Sequence, residues 1–152
     1  MGIMQFSEFW NEVSKNKSSA SSDIHGLTHW NRVFENGLII AKKTGANIEL
    51  VELFALFHDS CRLDDGNDPD HGRRAAEWVS SMRTDFSILP EDLFQDLLTA
   101  LRDHAKVKCT KNIHIATCWD ADRLDLGRVG ITPNEEFMNT ETGRIIARKG
   151  KR

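Results

Sequence analysis

Apolar residues recur at intervals of three and four along most of this chain, which is typical of amphipathic α-helices. The stripe is most regular from about Thr28 to Lys43 and ends near Gly45. Similar stripes cover Ser7 to Lys15 and the segments that begin near His71, Pro90 and residue 113. No alternating strand pattern of useful length is present. We therefore predict an all-α fold, a bundle of about six helices.

One segment departs from this pattern because it has almost no polar face. From about Ile48 to Asp59, apolar side chains point in every direction, so we expect a helix that is surrounded by protein. It ends in the adjacent pair His58 and Asp59. Burying these two groups costs several kcal/mol, by rough estimate, unless they are paired or bind a cation. A capping interaction and a metal site are both open explanations for this pair alone.

The 152 residues are sufficient for one domain with a sizeable core. Composition divides the chain into an N-terminal helix and polar loop (1–22), a core (23–130) and a tail with few apolar residues (131–152). The tail ends in a basic run, Arg148 to Arg152, which we expect to be solvated.

Charge and cysteine content narrow the class of protein. The net charge is -3, with 20 basic and 23 acidic residues, so we expect neither a nucleic-acid duplex nor a membrane as partner. The three cysteines have no CxxC spacing, which argues against a disulfide framework or a thiolate zinc site. We find no signal peptide and no apolar run long enough to span a membrane. These features predict a cytoplasmic protein, and they leave its oligomeric state open.

Four other predicted helices each carry one histidine or aspartate on the apolar stripe or at its edge. These residues are His29, His71, His104 and Asp122. A single histidine in such a place is usually a hydrogen-bonded core residue. Their repetition on separate helices, together with His58 and Asp59, is harder to explain in that way. The six form a set of nitrogen and oxygen ligands that suits Mn, Fe, Co, Ni, Zn or Mg, and imidazole favours the transition metals.

The order of these residues resembles the HD-domain superfamily of metal-dependent phosphohydrolases. In that family a histidine is followed by an HD pair and, further on, by an aspartate. His29 in HWNRV, His58 and Asp59 after the apolar helix, and Asp122 in WDADRLD occur in that order. The resemblance covers roughly residues 23–130 and implies an HD-domain-like bundle around a buried metal site.

Family members that hold two metals have two further histidines between the pair and the last aspartate. His71 in DPDHG and His104 in LRDHAK stand in those places. The resemblance implies that His29, His58, Asp59 and Asp122 hold one ion. It also implies that Asp59 bridges to a second ion held with His71 and His104.

Several other side chains are candidates for substrate contacts. His25 lies four residues before His29, so it is a candidate ligand, and we favour a role as catalytic acid or substrate contact. Arg62 and Lys106 are the preferred phosphate-binding cations because each follows a predicted ligand within four residues. Further cations flank the ligands at Arg73, Arg74 and Arg128. Arg32 and Arg123 are expected in structural ion pairs or beside the ligands.

The function predicted from these residues is metal-dependent hydrolysis of a small phosphate ester or nucleotide by a metal-activated water, with Asp59 as the central catalytic residue and one or two ions bound. Two alternatives stay open. One is a di-iron oxygenase with an HD-type fold. The other is a binding module in which the metal only stabilises the fold.

Overall fold

A computed structural model describes residues 6–149. Within that range the chain forms seven α-helices, four short 3₁₀ helices and no strand. The α-helices are α1 (Phe6–Asn16), α2 (Leu27–Thr44), α3 (Ile48–Phe57), α4 (His71–Ser81), α5 (Glu91–Asp103), α6 (Ile113–Arg123) and α7 (Glu141–Arg148). The predicted all-α class is confirmed, and α1 to α6 correspond to the six expected helices. In the described part of the chain, every helix is too short or too polar to cross a bilayer.

Helix α3 forms the centre of the bundle. It packs against α1, α2, α5 and α6, and most of its apolar side chains are completely buried, including Leu50, Leu53 and Phe57. Each such side chain stabilises the fold by about 1.5–3 kcal/mol relative to exposure. The Asn47 side chain begins α3 by accepting a hydrogen bond from the Leu50 N–H at 2.8 Å.

α3 ends at Phe57, two residues earlier than the sequence pattern suggested. The Ser60 N–H and hydroxyl both donate to the Phe57 carbonyl, which turns the chain away from the helix axis. His58 and Asp59 therefore occupy the turn at its C-terminal end, inside the bundle.

Helices α4 and α5 pack closely because α4 has a glycine at its second position. A Cβ atom on Gly72 would collide with the Leu101 carbonyl oxygen and crowd that of Arg102. The absence of a side chain therefore allows the two backbones to approach each other. This contact brings together His71, which begins α4, and His104, which follows α5.

The C-terminal segment differs from the predicted tail. Residues 131–149 include α7, which contacts α2 and α6, and Met138 and Ala147 form a small buried cluster with Ile40 and Leu124. The buried Asp120 carboxylate accepts hydrogen bonds from the Asn139 and Thr140 main chain. A polar anchor of this kind leaves no apolar periodicity, so the sequence pattern did not reveal it. Of the basic run, residues 150–152 lie outside the described range.

Candidate metal centre

Six polar side chains from five helices meet inside the bundle. Each belongs to a different helix or helix end, except for one adjacent pair that follows α3. They are His29 (α2), His58 and Asp59 (after α3), His71 (α4), His104 (after α5) and Asp122 (α6). These are the six residues that the sequence predicted as ligands, and all six lie within residues 23–130. Their side chains are at most 3% exposed, apart from Asp122 at 16%.

One group of ligand atoms lies between α2, α3 and α6. The Nε2 atoms of His29 and His58 are 3.0 Å apart. Asp59 Oδ2 lies 3.3 and 3.4 Å from them, and Asp122 Oδ1 lies 3.1 and 3.3 Å from them. Donor atoms that share one ion at about 2.0–2.2 Å are separated by roughly 3–4 Å. The two Nε2 atoms and Asp59 Oδ2 therefore have the spacing of a single coordination sphere, and Asp122 Oδ1 lies against both imidazoles.

A second group lies against the other oxygen of the same carboxylate. The Nε2 atoms of His71 and His104 are 2.9 Å apart, and Asp59 Oδ1 lies 3.2 Å and 3.7 Å from them, respectively. Asp59 thus turns one oxygen toward each pair of histidines. This is the arrangement in which one carboxylate can bridge two ions.

The four imidazoles are oriented by the atoms that their Nδ1 atoms contact. The Nδ1 of His29 faces the Asp125 carboxylate at 2.7 Å. The Nδ1 atoms of His58, His71 and His104 face main-chain carbonyls. Carboxylates and carbonyls only accept hydrogen bonds, so each neutral ring carries its hydrogen on Nδ1 and directs the Nε2 lone pair into the site. Two such lone pairs about 3 Å apart repel each other, so the arrangement favours a shared cation between them, either a proton or a metal ion.

The charge balance also favours a cation at the centre. Burial disfavours the imidazolium form of His29, but Asp122, Asp125 and Asp59 outweigh it and raise its pKa to about 10. Burial likewise opposes ionisation of Asp59 and Asp122, yet the neighbouring imidazoles, His58 foremost, hold the pKa of both carboxyls well below the usual range. The site therefore stabilises positive charge placed among these groups.

Asp122 Oδ1 provides a further test of the fit to a metal. This atom is buried and has no hydrogen-bond partner among the protein atoms, because its close contacts with His29 and His58 lack hydrogen-bond geometry. A buried carboxylate oxygen without a partner is costly. A coordinated cation would satisfy it. The donor set, the lone-pair directions and this oxygen all fit a divalent metal bound by nitrogen and oxygen.

Asp125 is a supporting residue that the sequence analysis did not identify. Its carboxylate receives a hydrogen bond from His29 Nδ1 through Oδ2 and one from Arg32 Nε at 2.6 Å through Oδ1. Arg32 was expected in an ion pair or beside the ligands, and this is where it lies. The available signal was the position of Asp125, three residues after Asp122 in the DADRLD segment and two residues beyond the end of α6.

His25 lies just before α2 and is 7% exposed. Its Nδ1 is 3.1 Å from Asp65 Oδ1. Burial lowers the pKa of His25, although Asp59 and Asp65 oppose this effect, so the neutral imidazole predominates at neutral pH. The Asp59 charge acts on the pKa of His25, but His25 does not belong to either group of ligand atoms. Its catalytic role stays a prediction.

The predicted phosphate-binding cations have different surroundings. Arg62 Nε lies 3.3 Å from Asp59 Oδ1, and its Nη1 donates to the carbonyls of Asp64 and Gly66. Lys106 is half exposed and lies 3.8 Å from Asp70.

The remaining flanking cations are held by other groups. Arg73 pairs with Glu77 on the surface, and Arg74 with Asp68. Arg128 donates to the carbonyls of Ile24 and Asp125. Of the five flanking cations, Arg62 is the one with a contact to a proposed ligand, Asp59. The phosphate-binding roles of Arg62 and Lys106 stay predictions.

Comparison with known proteins adds a likeness to one crystal structure. No protein-family model matches the chain, and no curated protein matches it. A crystal structure of a predicted HD superfamily hydrolase from an uncultured Thermotogales bacterium superimposes with a TM-score of 0.74. The two chains are 27% identical, and the match covers 94% of this chain and 83% of the other. The likeness therefore extends over nearly the whole fold.

Proposed function

Because the chain belongs to the HD-domain superfamily, we propose that it is a metal-dependent phosphohydrolase that cleaves a small phosphate ester or nucleotide. The observation that supports this proposal is the position of Asp59. Its two oxygens face two separate pairs of imidazoles, at 3.2–3.7 Å from their Nε2 atoms. Hydrolytic sites with two metals use such a carboxylate to hold the ions about 3.5–4 Å apart.

The proposed ligands of the first ion are His29, His58, Asp59 and Asp122, and those of the second are His71, His104 and Asp59. Imidazole ligands favour Mn, Fe, Co, Ni or Zn over Mg. When bound, such ions lower the pKa of a coordinated water to near neutrality and offset the charge that develops on the phosphoryl oxygens.

The protein side chains contribute orientation and exclude water. Asp122 is the most exposed of the proposed ligands, so substrate would approach past its carboxylate. Arg62 donates to Asp59 and would fix the orientation of that carboxylate. The charge of Asp59 acts on the buried His25 imidazole. Its neutral form would contact the phosphate, and its minor protonated form would transfer a proton to the leaving oxygen.

The proposal is tested first on the wild-type protein. Protein purified without chelator is analysed for metal content and then assayed for phosphate release from nucleotides and sugar phosphates. We expect bound transition metal and hydrolysis of at least one class of phosphate ester. Turnover that requires oxygen and iron would instead indicate the oxygenase. Bound metal without any turnover would indicate a binding module.

Variants at the ligands then test the bridging role. Asp59→Asn keeps the shape of the side chain but removes its negative charge, so both ions should bind more weakly and activity should fall by orders of magnitude. His104→Ala should remove the second ion and leave the first in place. Asp92→Asn, which removes the same charge from the exposed start of α5, is the matched control and should resemble wild type. Near-full activity of Asp59→Asn with normal metal content would refute the mechanism.

A further inference from the structure

A cavity of about 410 Å³ opens beside the candidate metal centre, and His104 forms part of its wall. Its other walls are the segment 105–108, which follows α5, and side chains from the C-terminal part of the fold, Arg123, Leu126 and Phe137. Arg123 directly follows Asp122 in the chain, so the cavity also borders the end of α6 that carries the most exposed of the proposed ligands. Its volume is within the range of about 300–1,000 Å³ that small-molecule sites occupy.

Arg123 holds the two walls of this cavity together. One guanidinium nitrogen donates to the carbonyls of Lys108 (2.8 Å) and Phe137 (3.0 Å), and the other donates to the Val107 carbonyl (2.8 Å). The 3₁₀ segment that carries Phe137 is thereby fixed against the loop that follows α5. Because the Arg123 side chain binds main-chain carbonyls of both segments, the walls of the cavity are held in place without a ligand.

The lining of the cavity combines apolar surface with positive charge. Phe137 and Val107 are 41% and 39% exposed, so both present apolar surface to the cavity. The Lys108 ammonium lies 4.8 Å from the centre of the Phe137 ring, and Lys106 also borders the cavity. Such a surface suits a ligand with a flat apolar part and negative charge.

A second cavity near the metal centre has the opposite character. It is lined by Arg62, by serines of the segment 18–22, and by the carboxylates of Asp64 and Asp65. Asp65 already accepts a hydrogen bond from the Ser22 hydroxyl and contacts His25. These carboxylates would repel an anionic substrate in that cavity.

We propose that the cavity at His104 is the subsite for the leaving group of the substrate, and that it binds a flat apolar ring carrying additional negative charge. This inference rests on the proposed function, because the scissile phosphate must lie at the metal centre. Phe137, Val107 and Leu126 contact the ring, and Lys108 binds the additional charge. Arg123 is a positioning residue that keeps the two walls together.

Three non-hydrolysable phosphonates test the subsite by calorimetric titration of the metal-loaded protein. They are methylphosphonate, phenylphosphonate and 4-carboxyphenylphosphonate. We expect the phenyl compound to bind about tenfold more tightly than the methyl compound, equivalent to about 1.4 kcal/mol, because its ring is buried against Phe137. The carboxylate should add about a further threefold through Lys108.

Variants separate the contributions of the ring and the charge. Phe137→Ala should abolish the preference for phenyl over methyl. It should leave methylphosphonate binding unchanged, since Arg123 contacts the main-chain carbonyl of Phe137 and not its side chain. Phe137→Leu keeps an apolar side chain of similar size but removes the aromatic face, so most of the preference for phenyl should again be lost. Lys108→Gln should abolish only the gain from the carboxylate. Lys111→Gln, an exposed lysine outside the cavity, is the matched control and should bind all three as wild type does.

The outcomes distinguish the subsite from the function on which it rests. Equal affinity for methyl- and phenylphosphonate would overturn the subsite and leave the metal centre intact. Binding of none of the three compounds by the metal-loaded protein would overturn the proposed phosphate site and the subsite together. A preference for the phenyl compound that survives both Phe137 variants would also overturn the assignment of this cavity.

Discussion

Asp125 offers a direct test of how the fold prepares His29 for metal binding. Its carboxylate accepts a hydrogen bond from His29 Nδ1 at 2.7 Å, and the His29 side chain is completely buried. This contact keeps the hydrogen on Nδ1 and the lone pair on Nε2, where a metal would bind. A change at Asp125 should therefore weaken metal binding without removing a ligand.

The expected magnitude follows from what each replacement leaves behind. In Asp125→Asn the amide oxygen can still accept from His29, but a neutral hydrogen bond replaces a charge-assisted one, and about tenfold should be lost in metal affinity. Asp125→Ala leaves a buried N–H without a partner. That costs about 1–3 kcal/mol, so metal affinity should fall by up to about 100-fold.

The matched control removes the other partner of the same carboxylate. Arg32 contacts Asp125 Oδ1, and its side chain is 34% exposed. Arg32→Gln should therefore change metal affinity by no more than about fivefold, as expected for a partly solvated ion pair. Metal affinity is measured by competition with a chromophoric chelator, and circular dichroism verifies that each variant is folded. Wild-type affinity in Asp125→Ala would refute the positioning role.

Three further predictions concern the fold around the site. Gly72→Ala should lower the melting temperature by about 2–10 °C through overpacking against the Leu101 carbonyl, and should displace the ion held with His104. Calorimetry showing no change, with two ions still bound, would contradict this. Asp120→Asn places an amide group opposite the Thr140 donors, so urea unfolding should show a loss of about 1–3 kcal/mol with metal binding retained. An unchanged urea midpoint would argue against the anchor. Chelation should lower the melting temperature of wild type by about 5–10 °C, as expected when an ion present at about 100 times its Kd is removed. An identical melting temperature with and without chelator would mean that no stabilising ion was bound.

The helical architecture was predictable because its signal is local. Intervals of three and four residues mark the buried faces of α2 and α5, and the lack of a polar face marks α3 as the central helix. The six polar side chains at the centre were detectable for a related reason. A histidine or aspartate within an apolar stripe carries a desolvation cost, so its presence on several helices indicates a shared partner.

Other features depend on contacts between residues far apart in the chain, and local hydrophobic patterns do not predict such contacts. The C-terminal α7 is held by the buried carboxylate of Asp120, a contact across about 20 residues, so its segment resembled a tail. Asp125 supports His29 from 96 residues away. At the cavity beside His104, Arg123 joins the segment after α5 to the segment of Phe137 through their carbonyl groups.

The orientation of the two carboxylate oxygens of Asp59 was also determined by the tertiary structure. The sequence placed this carboxylate beside His58 at the end of a buried helix, and the family resemblance implied that it bridges two ions. Which oxygen faces which pair of histidines depends on the turn after Phe57 and on the close approach of α4 to α5 at Gly72. Periodicity assigns a residue to a face of its helix, whereas the direction of its atoms is set by the packing of helices that are distant in sequence.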